Sequence, residues 1–385
     1  MTKINTGRRS YARQRRATKR VAHLTSVHPP FDPRIFHKQC KTLRDAGFDV
    51  HLVAQHTQSE TVDGIAISAL SEVSGRYARI ALQAPLYRQA YALQADVYHI
   101  HDPELIPLLW LLKQTTGASV IYDMHEDYAS RAGLEGRLLR ALERWCFRWM
   151  DHVVYANAVH RRIVASLAPA TRIANYVQPT EQHKKLHQRP DPPPFTLLYT
   201  GVMSNQGGRG LSNLIDLACA LRDASHRWAL RLVGVCYVPS DRQQIERRIR
   251  REKLGPYIEQ IGWSTYVPWQ RMQPHYVQSH VGLVLGTDHR NTTEKIPTKF
   301  YEYISYGLPI ICSDFPLWQS FIERHGCGVA VPPGDAEAVV SVLQHWMDDP
   351  AQYQAYAKRA REAADQFQWG GMGDRLVTLY KKMIA

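Results

Sequence analysis

The stretch that decides how this chain is interpreted is Glu294-Lys-Ile-Pro297-Thr-Lys299-Phe-Tyr-Glu302-Tyr-Ile-Ser-Tyr-Gly307-Leu-Pro-Ile. Pro297 presets the backbone for a first helical turn, and Gly307 marks the end of the helix. Glu302 is therefore expected on a short helix, and Glu294 in the loop before it. Carboxylates accept hydrogen bonds from hydroxyls, while a helix N-terminus and Lys299 attract phosphate. A nucleotide sugar combines both kinds of group.

The same stretch resembles the donor-binding signature of the retaining glycosyltransferases of family 4, which have the GT-B fold. In that family the first Glu contacts hydroxyls of the transferred sugar, and the second Glu holds the ribose of the nucleotide. The resemblance therefore gives these two roles to Glu294 and Glu302. The alternative is a solvated helix end with two ordinary acids, because this spacing also arises by chance.

Length and composition indicate a globular protein of two domains. A chain of 385 residues exceeds one ordinary core, and 44% apolar with 22% charged residues is typical of soluble proteins. No run is apolar enough for a membrane span, and no secretory signal is visible. The six cysteines and eighteen histidines show no metal-ligand spacing. Reduced thiols, a cytoplasmic setting, and no metal or other cofactor are therefore expected.

Positive charge is concentrated at the N-terminus. Residues 1–20 contain eight bases and no acid, in a chain of formal charge +13. We expect a basic, disordered arm here, suited to anionic lipid head groups or to nucleic acid. The folded part need not bind either of them.

A helix predicted at Leu134–Met150 is a second possible membrane-binding feature. Apolar residues lie along one of its faces, and arginines form an adjoining stripe: Leu134, Leu138, Leu142, Trp145 and Trp149, with Arg137, Arg140, Arg144 and Arg148. This pattern suits a helix that lies on an anionic membrane surface. It also suits a core-packed helix with a solvated basic flank.

Apolar runs alternate with helical patterns from Val21 onward, which is typical of parallel α/β sheets. The strands are predicted in two series: Val21–Val27, Phe48–Val53, Val97–Ile100, Ser119–Tyr122 and Val153–Tyr155, then Thr196–Thr200, Ala229–Val235, Ile258–Ile261, Val281–Leu285, Ile310–Cys312 and Val329–Val331. A polar, proline-rich linker is predicted between the series at His183–Pro194.

We therefore predict an α/β protein with two Rossmann-like, doubly wound domains, at residues 21–185 and 195–370. The resemblance implies that they face one another across a cleft in the GT-B arrangement. It also implies that a C-terminal helix, residues 371–385, packs back on the first domain. The second domain is then the nucleotide-sugar-binding one, and the first is the acceptor side.

One motif of the first domain is Ser26-Val-His28-Pro-Pro-Phe-Asp32-Pro-Arg34-Ile-Phe-His37-Lys38, which follows a strand and opens a predicted helix at Arg34–Ala46. It is similar to a polysaccharide-assembly branch of family 4. Arg34 and Lys38 are candidates for holding an acceptor phosphate, and His28 is a candidate for contacting a sugar hydroxyl. The alternative is a rigid, proline-shaped turn whose Asp32 caps the helix.

Two more motifs end strands of this domain: Val97-Tyr-His99-Ile-His101-Asp102-Pro-Glu-Leu and Ile121-Tyr-Asp123-Met-His125-Glu126-Asp-Tyr. The first resembles the His-x-His-Asp/Glu element of family 4, in which the second histidine reaches the reacting sugar. The resemblance places His101 at the reacting end of the donor, with Asp102 orienting it or the acceptor. His125 and Glu126 are expected on the acceptor side. The alternative for each histidine is a hydrogen-bonded polar group at a strand end.

A glycine-rich segment, Tyr199-Thr-Gly201-Val-Met-Ser-Asn-Gln-Gly-Gly-Arg209-Gly, follows the first strand of the second domain. Such a backbone can approach a diphosphate closely, and Arg209 offers a planar fork to its oxygens. Family 4 usually has an Arg just after the first Gly and a Lys several residues on. In this chain Val202 stands at the first position and Arg209 at the second, and Lys299 or Lys295 is expected to substitute in the phosphate contact. An ordinary turn is the alternative.

Together these features and the resemblance to family 4 imply a retaining glycosyltransferase, specifically a hexosyltransferase, that needs no metal. In the reaction scheme associated with that family, the leaving diphosphate takes the acceptor proton. The predicted acceptor is a lipid-linked or other saccharide in bacterial surface polysaccharide synthesis, such as lipopolysaccharide, at the inner face of the cytoplasmic membrane. A GT-B-fold nucleotide-sugar epimerase is the first alternative. A nucleic-acid-binding protein is the second, although it explains neither the glutamate pair nor the histidine motifs.

Overall fold

The computed structural model describes residues 18–75, 77–124, 134–164, 167–188, 194–224 and 228–385. The chain divides into two compact units. The first contains the residues up to Ala174 together with Gly373–Ala385, and the second contains Asn175–Met372. Each unit is built on a sheet of its own.

The strands of the first unit are β1 Arg20–Leu24, β2 Asp49–Gln55, β3 Glu60–Val62, β4 Ile65–Leu70, β5 Val97–Ile100, β6 Ser119–Met124, β7 His152–Tyr155 and β8 Ala170–Arg172. Their order in the sheet is β3-β4-β2-β1-β5-β6-β7-β8. All pairings are parallel except that of β3 with β4. The strand order reverses between β1 and β5, which makes their carboxyl ends the switch point where doubly wound sheets bind ligands.

The helices of this unit are α1 Lys41–Asp45, α2 Gln83–Leu93, α3 Ile106–Thr116, α4 Leu134–Phe147 and α5 Arg161–Val164. A π-helical segment, Pro33–Cys40, runs directly into α1, and short 3₁₀ segments lie at Ala78–Leu82, Pro103–Leu105 and Ala158–His160. Apolar side chains of α2 and α3, such as Leu86 and Leu109, are buried against the sheet residues Leu24 and Ile100. Burial of this surface is the main force that holds the unit together.

The β3–β4 hairpin is an element that our sequence analysis did not predict. Its turn consists of Asp63 and Gly64, whose φ angles are 49° and 74°. An Asp-Gly pair between two short β-like runs is a strong signal for a hairpin, because both turn positions require positive φ. The signal was therefore present in the sequence.

The first strand begins inside the segment predicted as a disordered arm. Arg20 lies in β1, and its Nε donates to Asp49 Oδ2 at 2.6 Å. Lys19 Nζ lies 3.8 Å from Asp96 Oδ1. The last two bases of the predicted arm thus belong to the folded unit, because each has a carboxylate partner there. Residues 1–17 lie outside the described residues.

The strands of the second unit are β9 Phe195–Val202, β10 Trp228–Val235, β11 Ile258–Trp263, β12 Val281–Val284, β13 Ile310–Ser313 and β14 Gly328–Val331. They form a parallel sheet of order β11-β10-β9-β12-β13-β14. The helices of this unit are α6 Leu211–Asp223, α7 Pro239–Arg251, α8 Trp269–Val277, α9 Arg290–Thr293, α10 Thr298–Ser305, α11 Pro316–His325, α12 Ala336–Asp348 and α13 Pro350–Ala364. The last helix, α14 Trp369–Ile384, enters the first unit at Gly373.

Part of the segment predicted as a linker is packed within the second unit. Residues Glu181–Gln188 form a 3₁₀ helix. His183 stacks on Tyr306 with ring centroids 4.1 Å apart, and its Nε2 lies 3.2 Å from Ser305 Oγ. These contacts order the first half of the predicted linker, and residues 189–193 lie outside the described part of the chain.

Three glycines are aligned across the carboxyl ends of neighbouring strands in the second unit. Gly201 of β9 pairs in register with Gly234 of β10, which pairs with Gly262 of β11. Their φ angles are 103°, 147° and 89°. A Cβ on Gly234 would overlap the carbonyl oxygen of Gly201. The carboxyl ends of these strands therefore require glycine, because the backbone there adopts a conformation that L-residues avoid.

We expect Gly234→Ala to destabilise the protein by about 2 kcal/mol or more, because the added Cβ overlaps backbone and the φ angle is unfavourable. Urea unfolding measures this as a lower transition midpoint. Gly255→Ala is the matched control, since its added Cβ would meet no atom within 4 Å. Similar midpoints for the two variants would contradict the requirement for glycine at position 234.

Candidate functional site

Helix α10 carries the second residue of the glutamate pair. Pro297 precedes it with φ −60° and ψ 146°, and Pro offers no side-chain acceptor for the first-turn N–H groups. Those donors are therefore suited to an anionic ligand. Glu302 is half-buried on the helix, while Glu294 is exposed in the turn before it. Both residues lie where the sequence predicted them along the chain.

Two residues that sequence analysis missed hold Glu302 in place. The hydroxyl of Tyr276 donates to Glu302 Oε2 at 2.8 Å and lies 3.3 Å from Thr200 Oγ1. Burial, and then the charge of Glu302, raise the pKa of Tyr276 well above its usual value, so the phenol stays a neutral donor. Tyr276 lies 26 residues before Glu302, and no local pattern in the sequence links them. The pair sets the carboxylate beside the carboxyl end of β9.

Lys299 lies beside the carboxyl end of β9, near Gly201. Its Nζ is 3.6 Å from the ring centroid of Tyr199, a cation–π distance. A Cβ on Gly201 would lie 3.4 Å from Lys299 Cε, so the lysine stem runs within van der Waals range of this glycine. The structure therefore places Gly201 and Lys299 side by side.

The glycine-rich loop after β9 packs on the segment that leads to Glu294. Thr292 Oγ1 donates to the carbonyl of Gly207 at 2.9 Å, and the N–H of Thr287 donates to Gly208 at 3.1 Å. Arg209 is exposed between these anchored glycines. Thr292 precedes Glu294 by two residues, so all the predicted donor-side residues lie around β9 and α10.

In the first unit, Arg34 is an internal residue and not a ligand-binding one. It is 4% exposed. Its Nε and Nη2 donate to the two oxygens of Asp123 at 2.9 and 2.8 Å, and Nη1 donates to the carbonyl of Ile173 at 2.8 Å. The acceptor-phosphate role predicted for Arg34 is therefore corrected to a structural one. Asp32 caps the following helix, accepting from the N–H groups of Arg34 and Ile35.

Asp102 organises the loop that follows β1. Its Oδ2 accepts from Thr25 Oγ1 at 2.8 Å and from the N–H of Ser26 at 2.7 Å, and the carboxylate is fully buried. These bonds turn the chain away from the sheet, so β1 ends at Leu24 and does not continue to Val27 as predicted. Asp102 thus positions His28.

His28 lies between two carboxylates. Its Nδ1 is 3.5 Å from Asp32 Oδ2, and its Nε2 is 3.5 Å from Asp102 Oδ1. Burial lowers the pKa of His28, but the hydrogen bond to Asp32 and the charges of Asp102 and Asp32 outweigh it and raise the pKa to about 9. At neutral pH His28 is therefore an imidazolium, partly exposed and held between the two carboxylates.

His101 lies in the interior of the first unit. The side chain is 1% exposed, its Nε2 is 2.9 Å from His23 Nδ1, and its Nδ1 is 3.5 Å from Asp123 Oδ2. This arrangement gives His101 a positioning role instead of the predicted direct contact with a sugar. The acceptor-side candidates His125 and Glu126 lie outside the described residues.

Two solved structures with the same architecture are distant in sequence. Sucrose-phosphate synthase from Thermosynechococcus elongatus aligns with a TM-score of 0.71 at 17% identity, covering 95% of this chain and 99% of that one. Anabaena HepE in complex with UDP-glucose aligns with a TM-score of 0.68 at 12% identity, covering 94% and 99%. These likenesses confirm the predicted GT-B fold.

Two family models match successive parts of the chain. The model of the glycosyl transferase 4-like domain matches residues 33–175, and that of the glycosyl transferases group 1 matches residues 180–363. The chain belongs to the GT-B glycosyltransferases. The predicted resemblance is thereby confirmed at the level of this group.

The glycosyltransferase also resembles curated proteins over part of their length. It is 26% identical over 153 residues to a lipopolysaccharide 1,6-galactosyltransferase of Escherichia coli, covering 40% of this chain and 39% of that protein. The Salmonella typhimurium protein of the same name matches at 23% over 212 residues, covering 54% and 56%. An exopolysaccharide phosphotransferase of Streptomyces coelicolor is 27% identical over 144 residues, 36% of this chain and 14% of its own length. The chain thus spans about half or less of these relatives.

We predict that His28 titrates with a pKa near 9, visible in the NMR shifts of its ring protons. Because this pKa exceeds the value of about 6.5 in the unfolded chain, the ion pairs stabilise the fold fully below about pH 6.5. That stabilisation should fade as the pH rises through 9. Asp32→Asn keeps a helix cap but removes the charge, and should lower the pKa of His28. An unchanged pKa in this variant would refute the assignment.

Proposed function

We propose that this glycosyltransferase moves a sugar from a nucleotide-sugar donor to a saccharide acceptor in bacterial cell-surface polysaccharide synthesis. The observation that carries the proposal is the grouping of Gly201, Lys299 and Glu302 around β9 and α10. The lipopolysaccharide galactosyltransferases among its relatives support a polysaccharide acceptor. An epimerase would use the same donor groups without an acceptor, and the relatives do not favour it.

In this proposal the second unit binds the donor. Glu302, oriented by Tyr276, accepts hydrogen bonds from the ribose hydroxyls. The diphosphate lies against Gly201, where the ammonium of Lys299 and the N-terminus of α10 meet its charge. Arg209 closes over it from the glycine-rich loop. Glu294, exposed before α10, holds the hydroxyls of the transferred sugar.

The reaction we propose retains the configuration at the anomeric carbon. As the bond between that carbon and the diphosphate oxygen loosens, the acceptor hydroxyl attacks from the same face. Its proton passes to the departing oxygen. Lys299 and the N–H groups of α10 stabilise the negative charge that develops on the diphosphate, more strongly in the transition state than before it. In this scheme the charge is met by cations and dipoles, and the transfer itself requires no metal.

The acceptor-side residue we propose is His28. Its two ring nitrogens face Asp32 and Asp102, and this group of one cation and two carboxylates suits the hydroxyls of a saccharide acceptor. Asp102 contributes by holding the loop that carries it. His101 is buried directly before Asp102 in the chain, and its proposed contribution is to position that residue.

Exchanging the two glutamates for glutamine separates their proposed roles. Glu294→Gln should nearly abolish transfer while leaving the affinity for the free nucleotide diphosphate almost unchanged. Glu302→Gln should weaken nucleotide binding, and Tyr276→Phe should do so to a smaller degree, because the carboxylate loses its orientation. Calorimetry with nucleotide diphosphates measures affinity. Nucleotide release from UDP-, GDP- and TDP-sugars, with and without lipid-linked acceptors, measures transfer. Equal losses of affinity for both glutamates would overturn the assignment.

We also propose that the first unit binds the anionic inner face of the cytoplasmic membrane. Large apolar side chains are exposed on neighbouring helices, among them Leu138 (63%) and Trp145 (45%) of α4 and Trp110 of α3. The rings of Trp110 and Trp145 lie 6.2 Å apart. Exposed arginines of α4 and of the turn after it adjoin this patch: Arg137, Arg144 and Arg148. The combination suits interfacial binding.

The structure divides the apolar face predicted for this helix. Leu142 and Trp149 pack against the core of the unit, while Leu138 and Trp145 point outward. The core-packed interpretation thus applies to one part of the face, and the exposed part is the one that we propose for membrane binding. No helix among the described residues is both long and apolar enough to span a bilayer.

Liposome co-sedimentation tests the membrane proposal. The protein should bind anionic but not neutral vesicles, and less at high salt, because each base near the surface contributes about 1 kcal/mol. Deleting residues 1–17, which contain six bases, should weaken binding, as should Trp145→Ser. Tyr237→Ser removes an exposed aromatic residue of the second unit and is the control. Binding that ignores lipid charge and all three changes would refute the proposal.

A further inference from the structure

Three histidines meet inside the first unit, in a group that the proposed transfer does not use directly. His23 of β1 pairs in register with His99 of β5, and His101 follows β5. Their ring centroids lie 4.7–5.2 Å apart, and the side chains are at most 1% exposed. One ring nitrogen of each lies within 4.8 Å of the corresponding nitrogens of the other two. Three imidazoles thus lie together in the interior, with one nitrogen of each near the others.

The outward nitrogens of the same rings face oxygen atoms. His99 Nδ1 is 2.7 Å from the hydroxyl of Tyr380, and His23 Nε2 is 3.4 Å from that hydroxyl. His101 Nδ1 is 3.5 Å from a carboxylate oxygen of Asp123. Histidines that bind a metal typically direct the second ring nitrogen to such an oxygen, which fixes the tautomer and turns the other nitrogen to the ion. The surroundings of this cluster have that form.

We propose that His23, His99 and His101 form a binding site for a transition-metal ion, with Zn²⁺ as the first candidate. Neutral imidazole nitrogen is a ligand for Zn²⁺, Co²⁺, Ni²⁺ and Cu²⁺, whereas Mg²⁺ and Ca²⁺ prefer oxygen. Asp123 is already paired with Arg34, so the ion is held chiefly by its bonds to nitrogen. This favours the ions that bind imidazole strongly.

Ion binding at this site requires no additional base to accept a proton. Between His23 Nδ1 and His101 Nε2, which are 2.9 Å apart, one proton forms a hydrogen bond when no ion is bound. On ion binding this proton moves to the Nε2 of His23, which faces the oxygen of Tyr380. All three rings remain neutral, and each then directs an N–H to an outer oxygen. Binding needs a change of tautomer and no net release of protons.

The ion would link β1 and β5 through their side chains, and through Tyr380 it would also hold the C-terminal segment in the first unit. Its role is therefore structural. The site is independent of donor binding in the second unit, so metal content and sugar transfer can be tested separately. Failure of either proposal leaves the other intact.

The test is the metal content of the protein purified from cells grown with added zinc or cobalt. After gel filtration in EDTA, the wild-type chain should retain about one ion, because the ligands are buried. His23→Gln and His99→Gln should retain at least tenfold less. His280→Gln is the control, a buried histidine of the second unit that accepts from the N–H of Thr196, and it should match the wild type. Equal retention in the wild type and in His23→Gln would overturn the proposal.

A second measurement uses only the wild-type chain, in case the variants do not fold. X-ray absorption of the zinc-loaded protein should show about three imidazole nitrogens at roughly 2.0–2.1 Å. The cobalt form should show the visible absorption of a four-coordinate site. A purified wild-type protein without metal, or a bound ion surrounded only by oxygen, would identify the cluster as a hydrogen-bonded chain of histidines and refute the site.

Discussion

The carboxyl end of β9 is the constraint on which the second unit depends. There the backbone of Gly234 approaches the carbonyl of Gly201 so closely that no side chain fits. The stem of Lys299 runs beside Gly201, and Thr200 next to it meets the hydroxyl of Tyr276, which orients Glu302. A cation and a carboxylate therefore lie beside the strand end at which the backbones approach one another. The chemistry proposed for the donor is located at this strand end.

Buried carboxylates have the corresponding role in the first unit. Asp102 holds the loop after β1 through its backbone and hydroxyl donors, and Asp123 receives Arg34 and Gln39. A buried carboxylate that lost such partners would cost several kcal/mol. The segments that meet them are therefore held in a single arrangement. One consequence is that the pKa of His28, beside Asp102 and Asp32, is raised to about 9.

Local signals in the sequence were sufficient for the fold and for the placement of Glu294 before α10 and of Lys299 and Glu302 on it. The Pro297–Gly307 frame specifies α10, and alternating apolar runs specify the strands, because each depends on neighbours within a few residues. Arg34 and His101 were assigned to ligands incorrectly. Their actual partners, Asp123 and His23, lie 89 and 78 residues away in the chain. Pattern analysis does not reveal such pairings, and only the folded sheet brings them together.

Since Gly373–Ala385 belongs to the first unit, the second unit is topologically an insertion between two parts of the first. Tyr380 is synthesised 281 residues after His99, its hydrogen-bond partner. During translation the interior of the first unit therefore stays incomplete until the second unit has left the ribosome. A nascent chain that stops before Tyr380 exposes a gap beside β1 and β5.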